Sequence, residues 1–227
     1  NRYQMYDGWH GNIAINALYS IGHLRIFGES GINFSGNIAA IAGAIWSPSF
    51  SFESSILLRH YPRCYIATHS NAYSSANTIS NQDGVVISLN IKSPENFSHS
   101  LMVDGVYFPY PRYHVDMASW QLKVKAKSLY ENDLWKGYLQ ENYCYKSNER
   151  NHKHSLKAYF SISPSKITAT IRGDLCLIFT AAENHAFTME KGYAVTFEGG
   201  YKAQHPDLNA NIGVSYFITD NYATRIS

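Results

Sequence analysis

Ser119-Trp120-Gln121-Leu122-Lys123-Val124-Lys125-Ala126-Lys127 alternates without a break. Successive side chains of an extended chain point to opposite faces, so Trp120, Leu122, Val124 and Ala126 share one side. Gln121, Lys123, Lys125 and Lys127 share the other. Wound into a helix, the same residues would spread their lysines all round the axis, so the helical reading fails. The stretch is a strand, half oily and half ionic.

The same period recurs on both sides of it. Ile167, Ala169, Ile171, Gly173, Leu175 and Leu177 alternate with Thr168, Thr170, Arg172 and Asp174. Tyr193, Val195, Phe197 and Tyr201 alternate with Thr196, Glu198 and Lys202, and Ala210, Ile212, Val214 and Tyr216 with Asn209, Asn211, Gly213 and Ser215. Earlier in the chain, Leu24, Ile26 and Ile32 alternate with Arg25, Glu29 and Asn33. Phe52, Ile56 and Leu58 alternate with Glu53 and Arg59, and Leu101, Val103 and Tyr107 with Met102 and Asp104. Residues 36–46 alternate weakly and are small, which leaves their register loosely specified.

Read this way, the chain gives about a dozen strands of roughly ten residues, the length that crosses a bilayer at a tilt. Their joints are sorted by length. Tight turns follow the odd-numbered strands: Ile21-Gly22-His23, Ser47-Pro48-Ser49, Ser93-Pro94-Glu95-Asn96, Glu131-Asn132-Asp133, Ser163-Pro164-Ser165 and His205-Pro206-Asp207. Mostly longer loops follow the even-numbered ones, above all residues 62–83, 109–117, 147–153 and 180–188. A transmembrane barrel has short periplasmic turns and long outer loops, whereas a soluble sandwich has no reason to sort them. The expected fold is therefore an all-β, antiparallel, up-and-down transmembrane β-barrel, one domain over residues 1–227.

Composition agrees. Only 16% of the 227 residues are charged, while 15% are aromatic, with 18 Tyr. A soluble surface usually carries about a quarter or more Lys, Arg, Asp and Glu. The net charge of +2 is too small to mark a nucleic-acid surface. The longest apolar stretch, residues 38–46, is too short for a membrane helix. Asn1-Arg2-Tyr3-Gln4 has neither the basic start nor the apolar core of a signal peptide. Cys64, Cys144 and Cys176 cannot all pair and have no metal-type spacing, so they read as free thiols.

Aromatic residues gather toward strand ends: Trp46 and Trp135 by the short turns, and Tyr61, Tyr65, Tyr107, Phe108, Tyr143 and Phe179 toward the long loops. Two interfacial girdles would place them at headgroup level; packing in a sandwich core is the alternative. With the short turns inside, both ends of the chain fall on the outer side. Whole barrels ordinarily have an even strand number and periplasmic ends, and this chain stops at Arg225-Ile226-Ser227 without a terminal aromatic strand. The expectation is an internal part of a larger barrel, with the strands near Ile13 and Ile212 as its edges.

Several stretches resemble a known family. Leu24-Arg25-Ile26-Phe27-Gly28-Glu29 followed by small-residue strands looks like the barrel portion of a Bacteroidota outer-membrane family whose members carry N-terminal helix-hairpin-helix repeats. Tyr61-Pro62-Arg63-Cys64-Tyr65 leading to Asn71-Ala72-Tyr73 resembles its first long loop, and Asp104, Phe108-Pro109, Arg112, Val115 and Asp116 the next. The resemblance implies an N-terminal module ahead of this chain and further strands beyond it. It also implies DNA as a partner, by analogy only, since no such repeat is visible here.

The ions that fall on the polar side are Arg25, Glu29, Glu53, Arg59, Asp104, Lys123, Lys125, Lys127, Arg172 and Asp174. On a lipid-facing wall each would cost about 2–4 kcal/mol near mid-membrane, so a lumen is where they belong. They line a charged pore or a binding surface for a plug, or they simply neutralise one another and solvate the lumen. Lys123, Lys125 and Lys127 are the unbalanced row.

Two motifs suggest chemistry and are weak. Thr68-His69-Ser70-Asn71 invites comparison with outer-membrane phospholipases, but adjacent His69 and Ser70 would point to opposite faces of a strand. His152-Lys153-His154 offers two imidazoles and, apart from Glu149, no further ligand at metal spacing. No catalytic, metal or cofactor residue is assigned. The expected function is a non-enzymatic barrel of a Gram-negative outer membrane, in contact with its lipid. It serves transport or pore formation, or it anchors a periplasmic or plug partner. A lipid- or glycan-processing barrel enzyme is the second reading, and a soluble β-sandwich binding module the third.

Overall fold

The computed structural model describes residues 11–65, 72–76, 79–112, 115–149, 151–164, 166–181, 187–202 and 209–220. Twelve strands run β1 (Asn12–Ile21), β2 (Leu24–Asn33), β3 (Ile38–Ser49), β4 (Phe52–Tyr61), β5 (Gln82–Lys92), β6 (Phe97–Phe108), β7 (Ser119–Glu131), β8 (Trp135–Lys146), β9 (Asn151–Ile162), β10 (Ile167–Ala181), β11 (Phe187–Lys202) and β12 (Asn209–Thr219). They form a single 12-stranded sheet in sequence order, each pair antiparallel. No helix occurs among the described residues. The all-β, up-and-down architecture expected from the period is the observed one, and the two sheets of a sandwich do not form. β1 pairs only with β2 and β12 only with β11 among the described residues, so Ile13 and Ile212 lie on the end strands.

The registers divide the side chains between two faces across the whole sheet. Trp120 stands beside Tyr107, Leu122 beside Gly105, Val124 beside Val103 and Ala126 beside Leu101 on the apolar face. That face continues through Ile87, Ile56, Ala44 and Ile26 in one direction and through Leu139, Leu156, Leu175, Tyr193 and Ile218 in the other. Its large side chains stay in the open: Ile56 is 41% exposed, Ile87 51% and Leu139 53%. On a surface in water this row would be an aggregation hazard, because monomeric soluble proteins rarely expose contiguous apolar patches of such extent.

Aromatic pairs cluster at both ends of the apolar face. At the end with the tight turns, Trp46 meets Phe52 edge-on at 5.6 Å, Phe97 meets Tyr130 at 4.8 Å and Trp135 meets Phe160 at 5.1 Å. At the other end, Trp120 meets Tyr145 at 4.7 Å, with Tyr107 alongside, while Tyr143, across from Val124, lies further along the same face. From Trp120 to Tyr130 is about 33 Å of strand. Three aromatics expected in the girdle go elsewhere. Tyr61 and Phe108 are 3% and 0% exposed on the polar face, and Tyr65 lies over Gly31 of that same face. Tyr61 and Phe108 are packed under loops that fold onto the polar face, and Tyr65 belongs to one of those loops.

Loop sorting is less regular than the sequence suggested. The joints 62–81 and 109–118 are long, but β2–β3, β8–β9 and β10–β11 are joined by residues 34–37, 147–150 and 182–186. β9, β10 and β11 begin or end deeper in those joints, because every added rung pairs otherwise idle backbone groups. Ser47-Pro48-Ser49 is not the turn between β3 and β4; it ends β3 across a register shift between Trp46 and Ser49, and Phe50 and Ser51 make the turn. Pro48 lacks the N–H a ladder needs, and a shifted register is where a strand tolerates it. His205-Pro206-Asp207 lies outside the described residues.

Candidate functional site: a loop folded onto the polar face

β4, β5, β6 and β7 present Arg59, Gly84, Val106 and Gln121 side by side on the polar face, with Asp104 and Lys123 opposite each other one step along. Residues 72–76 of the long β4–β5 connection cross this surface. Arg59 Nη2 donates to Asp104 Oδ1 at 2.6 Å and to Ser75 Oγ at 2.6 Å, and Ser75 Oγ donates to Asp104 Oδ2. Tyr73 OH donates to Asp104 Oδ2 at 3.1 Å, and its ring lies 5.1 Å from the Arg59 guanidinium. Burial, and then the Asp104 charge, push the Tyr73 hydroxyl above its usual pKa, so it remains a donor at neutral pH. Both charged side chains are fully buried.

Neighbouring strands bind the loop's backbone. Lys123 Nζ donates to the Ser75 carbonyl at 3.2 Å, and Tyr61 OH to the Tyr73 carbonyl at 3.0 Å. Gln82, wholly buried, accepts the Ser75 N–H at 3.1 Å and donates to Ser74 Oγ at 2.7 Å. Buried polar groups have to be satisfied in this way or they cost free energy. The apolar side chains of the same connection, Tyr65, Ala72 and Ile79, cover the β2–β3 end of the face around Ala39 and Ile41. That cover explains the weak alternation of residues 36–46. At Ala39 and Ile41 β3 is apolar on the polar-face side as well, because those residues lie beneath the loop.

Gly84 leaves room for this cluster. A Cβ there would sit 2.6 Å from the Arg59 guanidinium, which is pinned and cannot swing aside without leaving Asp104. We expect Gly84→Ala to cost about 1–3 kcal/mol, as overpacking does, and to expose residues 72–76 to protease. Unchanged denaturant stability and unchanged cleavage would contradict the assigned contact.

The second long connection is zipped to the first. Asn81, at φ 55, donates from Nδ2 to the Tyr110 carbonyl at 2.8 Å and accepts the Tyr110 N–H at 3.0 Å. A positive φ is tolerated by Asn because its short polar side chain bonds locally. Arg112 stacks 3.5 Å above the Phe108 ring and donates to Ser119 Oγ at 3.0 Å. Burial lowers the Arg112 pKa without removing its charge. Between the loops lies a cleft of about 510 Å³, lined by Arg63, Asn81, Arg112, Gln121, Lys146 and Glu149 among others.

The remaining ions expected on the polar side all fall there by register, and they are brought together unevenly. Arg172 Nε donates to Asp174 Oδ2 at 2.8 Å, and Lys157 approaches Asp174 at 3.8 Å. Glu53 accepts from Ser47 and Asn90, each at 3.3 Å. Arg25 and Glu29 share the β2 polar edge without an ion pair between them. Lys125 and Lys127 stand in line below Lys123, with Lys127 4.5 Å over the Tyr138 ring. Ser75, Gln82 and Gly84 were not singled out from the sequence, and Tyr73 only as part of the first-loop resemblance. Nothing in a serine pair or a lone glycine says which strand a long loop will cross.

Thr68-His69-Ser70-Asn71 lies outside the described residues. His152 and His154 fall on the apolar face, where His152 meets Tyr143 OH at 2.8 Å and His154 meets Glu141 at 3.4 Å. The groups of His, Cys, Asp and Glu among the described residues include none that could hold a metal ion. His99 Nδ1 and Ser128 Oγ are 2.9 Å apart on the apolar face, and among the described residues no carboxylate bonds that imidazole. Cys64 is exposed, Cys144 half-buried and Cys176 buried, all as free thiols. Compared with protein families, curated proteins and solved structures, the chain matches none.

Proposed function

We propose that this chain is a barrel wall in a Gram-negative outer membrane. Its apolar face meets lipid, its polar face lines a water-filled lumen, and residues 72–76 narrow that lumen. The carrying observation is a continuous apolar face with aromatic pairs at both ends, about 33 Å apart along the strand, a length that spans the lipid-facing band if the strands tilt as in such barrels. A lumen is the setting in which Arg59, Asp104 and the lysines of β7 fit opposite that band. The role is non-enzymatic passage of small solutes past the loop. Anchoring a periplasmic module, the DNA-binding repeats of the resembling family among them, is compatible with the same wall.

Labelling tests the orientation. In a Cys144→Ser, Cys176→Ser background, an impermeant maleimide should modify exposed Cys64 in intact cells. It should spare a cysteine at Ser163, exposed in the β9–β10 turn, until the outer membrane is opened. The opposite pattern inverts the topology. Recovery of the folded protein in the soluble fraction ends the membrane reading.

A further inference from the structure

Every lysine of β7, β8 and β9 lies on the polar face. Their registers align Lys123 with Cys144 and Lys153, Lys125 with Asn142 and Ser155, and Lys127 with Gln140 and Lys157. The apolar side of those strands carries none. Lys123, Lys125 and Lys127 repeat at about 6.7 Å along one strand, and the next strand lies about 4.8 Å away. Between the lysine-bearing strands, the amides of Gln140 and Asn142 form a neutral rung, bonded to each other at 3.0 Å.

The acids nearest this wall are already engaged. Asp104 is held by Arg59, Tyr73 and Ser75, Glu131 binds Lys136 at 2.8 Å, and Asp174 takes Arg172 and Lys157. Among the described residues no carboxylate comes within ion-pair distance of Lys123, Lys125 or Lys127. Lys123 bonds the loop carbonyl of Ser75, so the row begins where residues 72–76 cross the face. On β2 and β4, by contrast, the polar face carries as many acids, Glu29 and Glu53, as arginines, Arg25 and Arg59, and Arg59 is paired with Asp104. One wall is balanced and the other is not. Like charges on alternate residues repel, and an anion between them relieves that repulsion while accepting charge-assisted hydrogen bonds from several ammonium groups.

We infer that the β7–β9 wall is a binding track for small multivalent oxyanions, entered beside the loop at Lys123 and continuing through Lys125 and Lys127. This rests on the lumen reading above and names the solute class for it. The cleft holding Arg63 and Arg112, in which Lys146 is paired with Glu149 at 2.7 Å, lies at the same end, beside Gln121, where the track begins.

The test has two arms on the full chain. Refolded in detergent, the chain should bind pyrophosphate and citrate by titration calorimetry. Lys125→Gln with Lys127→Gln should weaken both by about tenfold or more, the loss of two charge-assisted contacts. Lys136→Gln, a lysine already paired at the turn end, should change neither. Tight pyrophosphate with no citrate binding would show that phosphorus rather than charge is read. In planar bilayers under a potassium chloride gradient, the wild type should reverse on the anion-selective side, and Lys125→Glu with Lys127→Glu on the cation-selective side. Channels that form but are cation-selective or indifferent to both changes overturn the track and leave the barrel standing. Anion binding in detergent with no channels in lipid removes the conducting role and keeps the track. Failure of the Gln pair to weaken binding overturns the track in either case.

Discussion

Val124→Arg should abolish assembly into lipid, while Lys125→Ala, one residue on, should leave it nearly intact. The two positions share a strand and differ only in face: Val124 stands beside Val103 and Tyr143 on the apolar side, Lys125 beside Met102 and Asn142 on the polar side. A charge on the lipid face near the midplane costs about 2–4 kcal/mol. Removing one lysine from the polar face takes away an ion with no carboxylate partner among the described residues and relieves some repulsion. Heat-modifiable migration of the chain refolded in liposomes reads the difference, with the arginine variant staying unfolded at temperatures the alanine variant survives. Equal tolerance of both would mean that the faces have been assigned the wrong way or that neither meets lipid.

Asp104→Ala should be as damaging for a different reason. It leaves the Arg59 guanidinium buried without its counter-ion and strips Tyr73 and Ser75 of their acceptor. Breaking one side of a buried pair costs about 3–5 kcal/mol, whereas replacing both partners by well-packed apolar residues is often neutral. Asp104→Leu combined with Arg59→Met should therefore recover much of the stability lost in Asp104→Ala. It should not restore the loop, because Ser75 and Tyr73 would still lack a partner. Protease sensitivity of residues 72–76, measured beside denaturant stability, separates the two effects. If the double variant is no more stable than the single, the pair is not the unit that holds this region.

What was legible in the sequence follows from the range of the forces. The two-residue period is local, so the strands and both faces could be read from residues such as Val124 and Lys125 with no knowledge of partners. The tight turns at Gly22 and Asn96, both with positive φ, were legible for the same reason. Loop lengths were read less well, because strand extension depends on the partner strand; β10 and β11 pair through Ala181 and Phe187, well into what looked like a loop. Least legible was the inward course of residues 72–76. Arg59 and Asp104 could be placed on one face but not paired, since their contact spans 45 positions and is completed by Ser75. Tyr61 and Phe108 were misassigned to the girdle on the same account. Their positions along the strands suited a headgroup belt, and only the loops above them show that they are buried in the polar face.

Glu141 carries a lesson of its own. It stands on the apolar face in the middle of β8, beside Ala126 and Leu156, with His154 as its partner. Strict alternation of charge inward and oil outward does not anticipate it.

The most direct measurement is a spin-label scan of single cysteines along positions 120–127 of the chain reconstituted in lipid, in a background without the three native thiols. Collision rates with dissolved oxygen and with a water-soluble nickel chelate report lipid and water in turn. The account expects a two-residue period, with oxygen favoured at 120, 122, 124 and 126 and the nickel chelate at 121, 123, 125 and 127. Equal access of both reagents at all eight positions, or the same period with the parities exchanged, would contradict a sheet that separates lipid from a polar lumen.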